Sequence, residues 1–247
     1  MSSDYFQFKQ FLVHHSYSTM KVGTDAVLLG TLCSLTTEEG KILEVGTGTG
    51  VIALVLAQRC LSEITAIDIH QASIWEARAN FKESPWSNRL KALLISFQTY
   101  AEQGNPIRYD RIVSNPPFFE NDLKSADDNR NLARHNDQLS HRDFLNSSRY
   151  FLTENGRICI ILPVKEAEKF ILEAITFGFY LLKKVEIKPK PEKTANRFML
   201  EFGFHKEKEV LTTSLTVRNT DNSYHEEYKS LTTDFYVSLN FFKRSDN

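Results

Sequence analysis

Two periodicities take turns along this chain. Short, nearly continuous apolar runs occupy about 41–46, 64–69, 90–97, 109–114, 156–162, 180–188 and 197–204. Runs of this length, bounded by turn residues, predict buried strands. Between them the spacing changes to the 3.6-residue period of helices at 49–60, 71–83, 140–153 and 164–177. In the last of these, Ala167, Phe170, Ile171, Ala174 and Ile175 form one apolar stripe. Strand and helix alternate, which predicts an α/β architecture with a seven-stranded doubly wound sheet. The runs 180–188 and 197–204 are joined by a short loop with no helix, so they should pair antiparallel as a terminal hairpin.

The flanks of this core read as one domain with it, residues 1–40 covering, 41–204 forming the core and 205–247 extending it. In the first flank Phe6, Phe8 and Phe11 precede Met20-Lys21-Val22-Gly23-Thr24-Asp25, where Thr24 or Asp25 can cap a short helix through Leu32. That flank is either an aromatic strand pair and helix that only cover the sheet, or a segment whose Lys21 and Thr24 fold over a ligand. In the last flank Tyr224, Tyr228, Leu231, Phe235 and Phe242 recur at helical spacing, predicting an amphipathic helix packed on the body.

Candidate chemistry begins where the first core strand ends. Lys41-Ile42-Leu43-Glu44-Val45 runs into Gly46-Thr47-Gly48-Thr49-Gly50, followed by the apolar helix start Val51-Ile52-Ala53-Leu54. Glycines permit positive φ and close approach of a ligand to the backbone. The next strand ends in Asp68, 20 positions after Gly48, where an acid can accept hydrogen bonds from both ribose hydroxyls of a nucleoside cofactor. The spacing is G-x-G-x-G after Glu44, which departs from the G-x-G-x-x-G of nicotinamide enzymes.

A second motif follows the fourth strand, at Ser114-Asn115-Pro116-Pro117-Phe118. Two prolines hold the backbone extended and remove its donors. The Asn115 side-chain oxygen and the Pro116 carbonyl are then free to accept both hydrogens of a planar amino group, such as that of adenine. Phe118 can stack on the ring that carries it. Read alone, the same residues are a proline-rich turn.

Composition narrows the setting. The 247 residues are 41% hydrophobic and carry a net charge of −1, so one sizeable core is affordable and no global nucleic-acid signature exists. Any RNA contact must come from local basic patches. The densest is 183–197, where Lys183, Lys184, Lys188, Lys190, Lys193 and Arg197 face only Glu186 and Glu192, with Pro189 and Pro191 stiffening the loop. A solvated strand end is the competing reading. Cys33, Cys60 and Cys159 are odd in number and sit in apolar contexts, which fits buried thiols in a reducing cytoplasm. No ligand cluster suggests a metal, and no apolar stretch approaches membrane-spanning length. A soluble cytoplasmic protein is expected; the sequence leaves the oligomeric state open, with a monomer the favoured reading.

Glu44-Val45-Gly46 resembles the S-adenosylmethionine site of class I methyltransferases, and Asn-Pro-Pro-Phe narrows the likeness to amino-methyltransferases. The chain further resembles the bacterial tRNA1(Val) adenine-37 methyltransferase family. Matching stretches are Phe8-Lys9-Gln10-Phe11, Met20 to Asp25, Glu44 to Gly48, Ser84-Pro85-Trp86, Ser114 to Phe118, Ala133-Arg134-His135 and Asp221 to Tyr224. The resemblance implies a Rossmann-like enzyme that methylates the exocyclic amine of the adenine just 3′ of a tRNA anticodon. It implies Asn115, Pro116, Pro117 and Phe118 at the reacting amine. It also implies Lys21, Thr24, Glu44, Gly46, Gly48, Gly50, Asp68, Ile69, Ser96 and Asn115 around the cofactor. Ser96 stands where many relatives carry an acid for the cofactor's adenine amine, and its hydroxyl can accept that bond.

Phe118, Phe119, Arg134, Lys188, Lys190, Lys193 and Arg197 are the candidates for RNA. The region 120–142 reads as a substrate-touching flap or an ordinary polar insertion, and His141 with Asp143 as a helix start. The Asn-Pro-Pro motif also occurs in methyltransferases of other RNA, of DNA and of protein glutamine. A non-catalytic RNA-binding protein retaining the fold, or a nicotinamide oxidoreductase, are readings from other classes.

Overall fold

The computed structural model describes residues 4–17, 21–35, 40–104, 106–116 and 139–238. Buried parallel strands β3 (Lys41–Val45), β4 (Glu63–Asp68), β5 (Leu90–Leu94), β6 (Tyr109–Ser114) and β7 (Leu152–Pro163) form the middle and one side of a mixed sheet. The other side holds β8 (Tyr180–Lys188), β9 (Arg197–Gly203) and β10 (Leu211–Thr216), giving the order β10-β8-β9-β7-β6-β3-β4-β5. The expected hairpin is present: β9 runs antiparallel to both β7 and β8. Among the described residues the sheet has eight strands, one more than the apolar runs suggest. β10 pairs parallel with β8 at the edge, and its first four residues are exposed, so no apolar run announces it. Ladder hydrogen bonds, rather than burial, make it a strand.

Helices cover both faces. On one lie α1 (Thr24–Leu32), α2 (Val51–Arg59) and α3 (Gln71–Glu83); on the other, α4 (Phe97–Glu102), α5 (His141–Phe151) and α6 (Val164–Thr176). Residues Val51 to Ala57 of α2 are all buried, because this helix is covered by α1 as well as by the sheet. Gly30 permits that close approach: a Cβ there would meet Val55 Cγ1 at 2.7 Å. The strand expected to reach residue 97 stops at Leu94, and Ser96 caps α4. Phe97 then packs its ring against Phe144 and Phe151. The cap of α1 is the backbone of Gly23, so neither Thr24 nor Asp25 caps it with a side chain.

The N-terminal flank is indeed a strand pair, β1 (Tyr5–Gln7) with β2 (Leu12–His14). The last helix, α7 (Glu226–Thr232), is shorter than expected: Tyr224 precedes it, Phe235 follows it, and Phe242 lies outside the described residues. These aromatics instead build a seam. Tyr224 stacks on Tyr228 with centroids 4.8 Å apart, Tyr236 on Phe8 at 5.6 Å, Phe8 on Phe11 at 4.5 Å, and Phe11 meets Trp86 edge-on at 5.6 Å. The motifs around Phe8, Trp86 and Tyr224 therefore share one task, tying both flanks to the α1–α3 face.

Candidate functional site

The carboxyl edge of the sheet is the place to look, because strand order reverses at β3, with β4 and β5 to one side and β6 and β7 to the other. Such a switch point opens a crevice beyond the strand ends. Val45 is in register with Ser114, and Ser114 Oγ donates to the Val45 carbonyl at 2.7 Å. The glycine turn and Asn115 therefore leave the sheet side by side, on neighbouring strands about 4.8 Å apart.

The turn itself needs its glycines. Gly46, Gly48 and Gly50 have φ of 76°, 54° and 82°. A Cβ on Gly50 would strike Phe81 at 2.5 Å, whereas one on Gly46 would enter open space. Gly46 is thus required for backbone conformation, and it leaves the approach to the turn clear. Asp68 braces the turn: its Oδ2 accepts the Gly48 N–H and its Oδ1 the His70 N–H, both at 2.9 Å. A carboxylate has about four acceptor sites, so capacity remains for two hydroxyls. Ile69, the next residue, is 44% exposed and offers an apolar face beside that acid.

Glu44 is fully buried beneath the turn. Its Oε2 accepts from Thr47 Oγ1 at 2.8 Å and from the Ala53 N–H at 3.2 Å, while Oε1 has no partner among the described residues. Burial pushes its pKa up to about 8, with nearby Asp68 adding to the rise and the two hydrogen bonds opposing it. A neutral carboxyl with an unused oxygen can meet an incoming cationic group. Open glycine backbone, an acid with spare acceptor capacity and this orphaned buried oxygen together fit a nucleoside sulfonium cofactor.

Other expected contacts are placed as follows. Ser96 sits in the loop after β5, where its Oγ accepts from the Thr99 N–H at 3.0 Å and donates to Thr99 Oγ1 at 2.9 Å. It is first a helix cap, with one lone pair left for an amine. Lys21 is exposed ahead of α1, and Thr24 opens that helix. Asn115 and Pro116 are half-buried at the end of β6. Pro117, Phe118, Phe119 and Arg134 lie outside the described residues.

The basic cluster is divided by its partners. Lys183 reaches inward to the Leu32 carbonyl and to Glu201, which is fully buried and is also met by Arg157. Lys184 pairs with Glu186 at 2.8 Å. Arg197 holds Asp25 at 3.1 Å, joining the start of β9 to the start of α1, so its charge is already engaged. Lys190 donates to the Thr220 carbonyl at 3.1 Å. Lys188 and Lys193 have no ammonium partner among the described residues. Pro163, Lys188 and Arg197 all lie at the sheet edge that carries Asn115, which puts the basic loop on the crevice side.

Two residues escaped notice in the sequence. Asn80 and Glu76 are buried on α3, one turn apart, among Ile74, Ala77 and Phe81. Polar residues at core-facing positions of an amphipathic helix were the available signal. His141 does start α5 after the Ser140 cap; it packs between Glu166 and Glu173 of α6, and burial lowers its pKa. Among the described residues no cluster of metal-ligating side chains occurs, and no helix is long and apolar enough to cross a membrane.

Comparison with known proteins adds five findings. The methyltransferase small domain family matches residues 12–186. A tRNA1(Val) (adenine(37)-N6)-methyltransferase of Bacteroides fragilis is 37% identical over 97% of this chain and 100% of its own length. One of Parabacteroides distasonis is 40% identical over the same shares. Among solved structures, a predicted O-methyltransferase of Agrobacterium tumefaciens is similar with TM-score 0.66 at 17% identity, covering 85% of this chain and 96% of that one. A glycopeptide N-methyltransferase solved with S-adenosylmethionine is similar with TM-score 0.54 at 14% identity, covering 77% and 98%. The two structures speak to the fold.

Proposed function

Because the chain belongs to the methyltransferase small domain family, and within it to the tRNA1(Val) (adenine(37)-N6)-methyltransferases, we propose that its carboxyl-edge crevice methylates the 6-amino group of adenine 37 in the anticodon loop of tRNA1(Val). The observation that carries this reading is the pairing of Ser114 with Val45, which sets Asn115 beside the glycine turn. S-adenosylmethionine supplies an electrophilic methyl group when bound. Gly46, Gly48 and Gly50 admit the cofactor to the backbone, Asp68 accepts from its ribose, and Ile69 and Ser96 border its adenine. Glu44 underlies the turn, and Lys21 and Thr24 close the site from the N-terminal side.

An aryl amine is a poor nucleophile, since its lone pair is delocalised into the ring. Asn115 Oδ1 and the Pro116 carbonyl accept both amine hydrogens, which favours a pyramidal nitrogen and aims its lone pair. Most of the acceleration is then orientation and preorganised electrostatics, with the proton lost to solvent after transfer. The target base must leave its stack, which costs less in a single-stranded loop than in a duplex. Pro117 shapes the motif, and Phe118 and Phe119 stack on the base, worth about 1–3 kcal/mol. Lys188, Lys190 and Lys193, with Arg134, draw in phosphates; Arg197 contributes mainly through Asp25. The aromatic seam between the flanks supports treating the chain as one domain, and a tRNA substrate supports work in the cytoplasm.

Single-turnover methyl transfer to an anticodon stem-loop, with cofactor saturating, isolates the chemical step. Asn115→Ala should slow it by on the order of 10²–10³ while leaving cofactor affinity within about twofold. A variant as fast as wild type would leave Asn115-Pro116 as a structural turn.

A further inference from the structure

Asn80 is fully buried, and its amide joins two segments that are far apart in the chain. Its Oδ1 accepts the His14 N–H at 2.9 Å, and its Nδ2 donates to the His14 carbonyl at 3.0 Å and to the Thr49 carbonyl at 2.8 Å. One turn earlier on α3, buried Glu76 accepts the Ser16 and Tyr17 N–H groups at 2.6 and 3.0 Å. The helix thus pairs with the end of β2 and the chain just after it through side chains, much as a strand would through its backbone. Thr49 lies between Gly48 and Gly50, both in positive φ, so its carbonyl is a point from which the turn can be fixed. Removing the amide leaves the Thr49 carbonyl buried without this partner and strips the half-buried His14 backbone N–H and C=O of theirs.

We infer that Asn80 is a positioning residue for cofactor binding: it holds the glycine turn in its receptive shape and couples that shape to the seat of the His14–Tyr17 segment. Asn80 acts through Thr49 and touches neither cofactor nor substrate. This rests on the reading that the glycine turn receives S-adenosylmethionine, and Asp68→Ala serves as the control for that reading.

Calorimetric titration of S-adenosylmethionine into folded protein, together with steady-state kinetics, tests the inference. Asn80→Ala should raise Kd and the cofactor KM at least about tenfold, with a much smaller change in kcat at saturating cofactor. Asn80→Asp keeps the acceptor for His14 but turns a carboxylate toward two carbonyls, and should weaken binding as much. Glu76→Gln keeps an acceptor oxygen, does not reach Thr49, and should bind as wild type does. Kd unchanged within twofold in both Asn80 variants, while Asp68→Ala loses affinity, would overturn the inference alone. Wild-type affinity in Asp68→Ala would overturn the cofactor-site reading and the inference with it. Should the Asn80 variants fail to fold, amide exchange in the wild-type protein decides: S-adenosylmethionine must slow exchange at His14 as well as at Gly48 and Gly50. Protection confined to the turn would refute the coupling.

Discussion

Replacing Glu44 by Gln probes the buried carboxyl directly. In the unfolded chain this group titrates near its ordinary value of 4.5; in the folded protein burial raises it to about 8. Between those values the folded state holds one proton more than the unfolded state, so stability falls as pH rises. The slope is about 1.4 kcal/mol per pH unit, and the accumulated loss reaches about 3 kcal/mol by pH 7. It stops growing once pH passes the folded value. Gln is neutral throughout and keeps an oxygen for Thr47 and Ala53, its amide nitrogen taking the place of the carboxyl proton. That nitrogen lacks a partner, which costs about 1–3 kcal/mol but does so equally at every pH. Urea unfolding of both proteins at pH 5, 6, 7 and 8 gives the comparison. The stability of Glu44→Gln relative to wild type should climb by about 3 kcal/mol between pH 5 and pH 8. Parallel pH profiles would mean that Glu44 ionises normally inside the fold, and the argument from burial would fall.

Two further outcomes follow from the same edge of the sheet. Ser96→Ala removes the cap of α4 and should lower stability by about 1 kcal/mol in thermal or denaturant unfolding, while changing cofactor affinity by less than that; a full loss of affinity with unchanged stability would reverse the assignment. Exchanging Lys188, Lys190 and Lys193 for Gln should weaken tRNA binding and reduce the slope of log K against log salt by up to about three phosphate contacts. An unaltered slope would send the RNA to another face.

Local pattern carried much of this protein's design. Most strand and helix spans from Lys41 to Gly203, α4 excepted, were legible because apolar periodicity reports which face of an element is buried, and that depends on near neighbours. The turn at Gly46–Gly50 was legible for a similar reason, since its positive φ values are a property of glycine itself. The motif at Asn115 stood out through its prolines, which fix the backbone and remove its donors. Tertiary structure decided what each polar group is free to do. Arg197 looked like a cation for RNA until β9 delivered it to Asp25, and Lys183 until its strand turned it toward Glu201. Ser96 gained a second task when the chain bent into α4 and used it as a cap, with one lone pair to spare. β10 has little apolar character and exists because β8 offers an open edge. Asn80 reads as one polar residue in a helix, and only the approach of His14 and Thr49, from 66 and 31 positions away, gives it a task. Hydrogen bonds and ion pairs are short-ranged in space and indifferent to distance along the chain, so a sequence displays the groups while the fold chooses their partners.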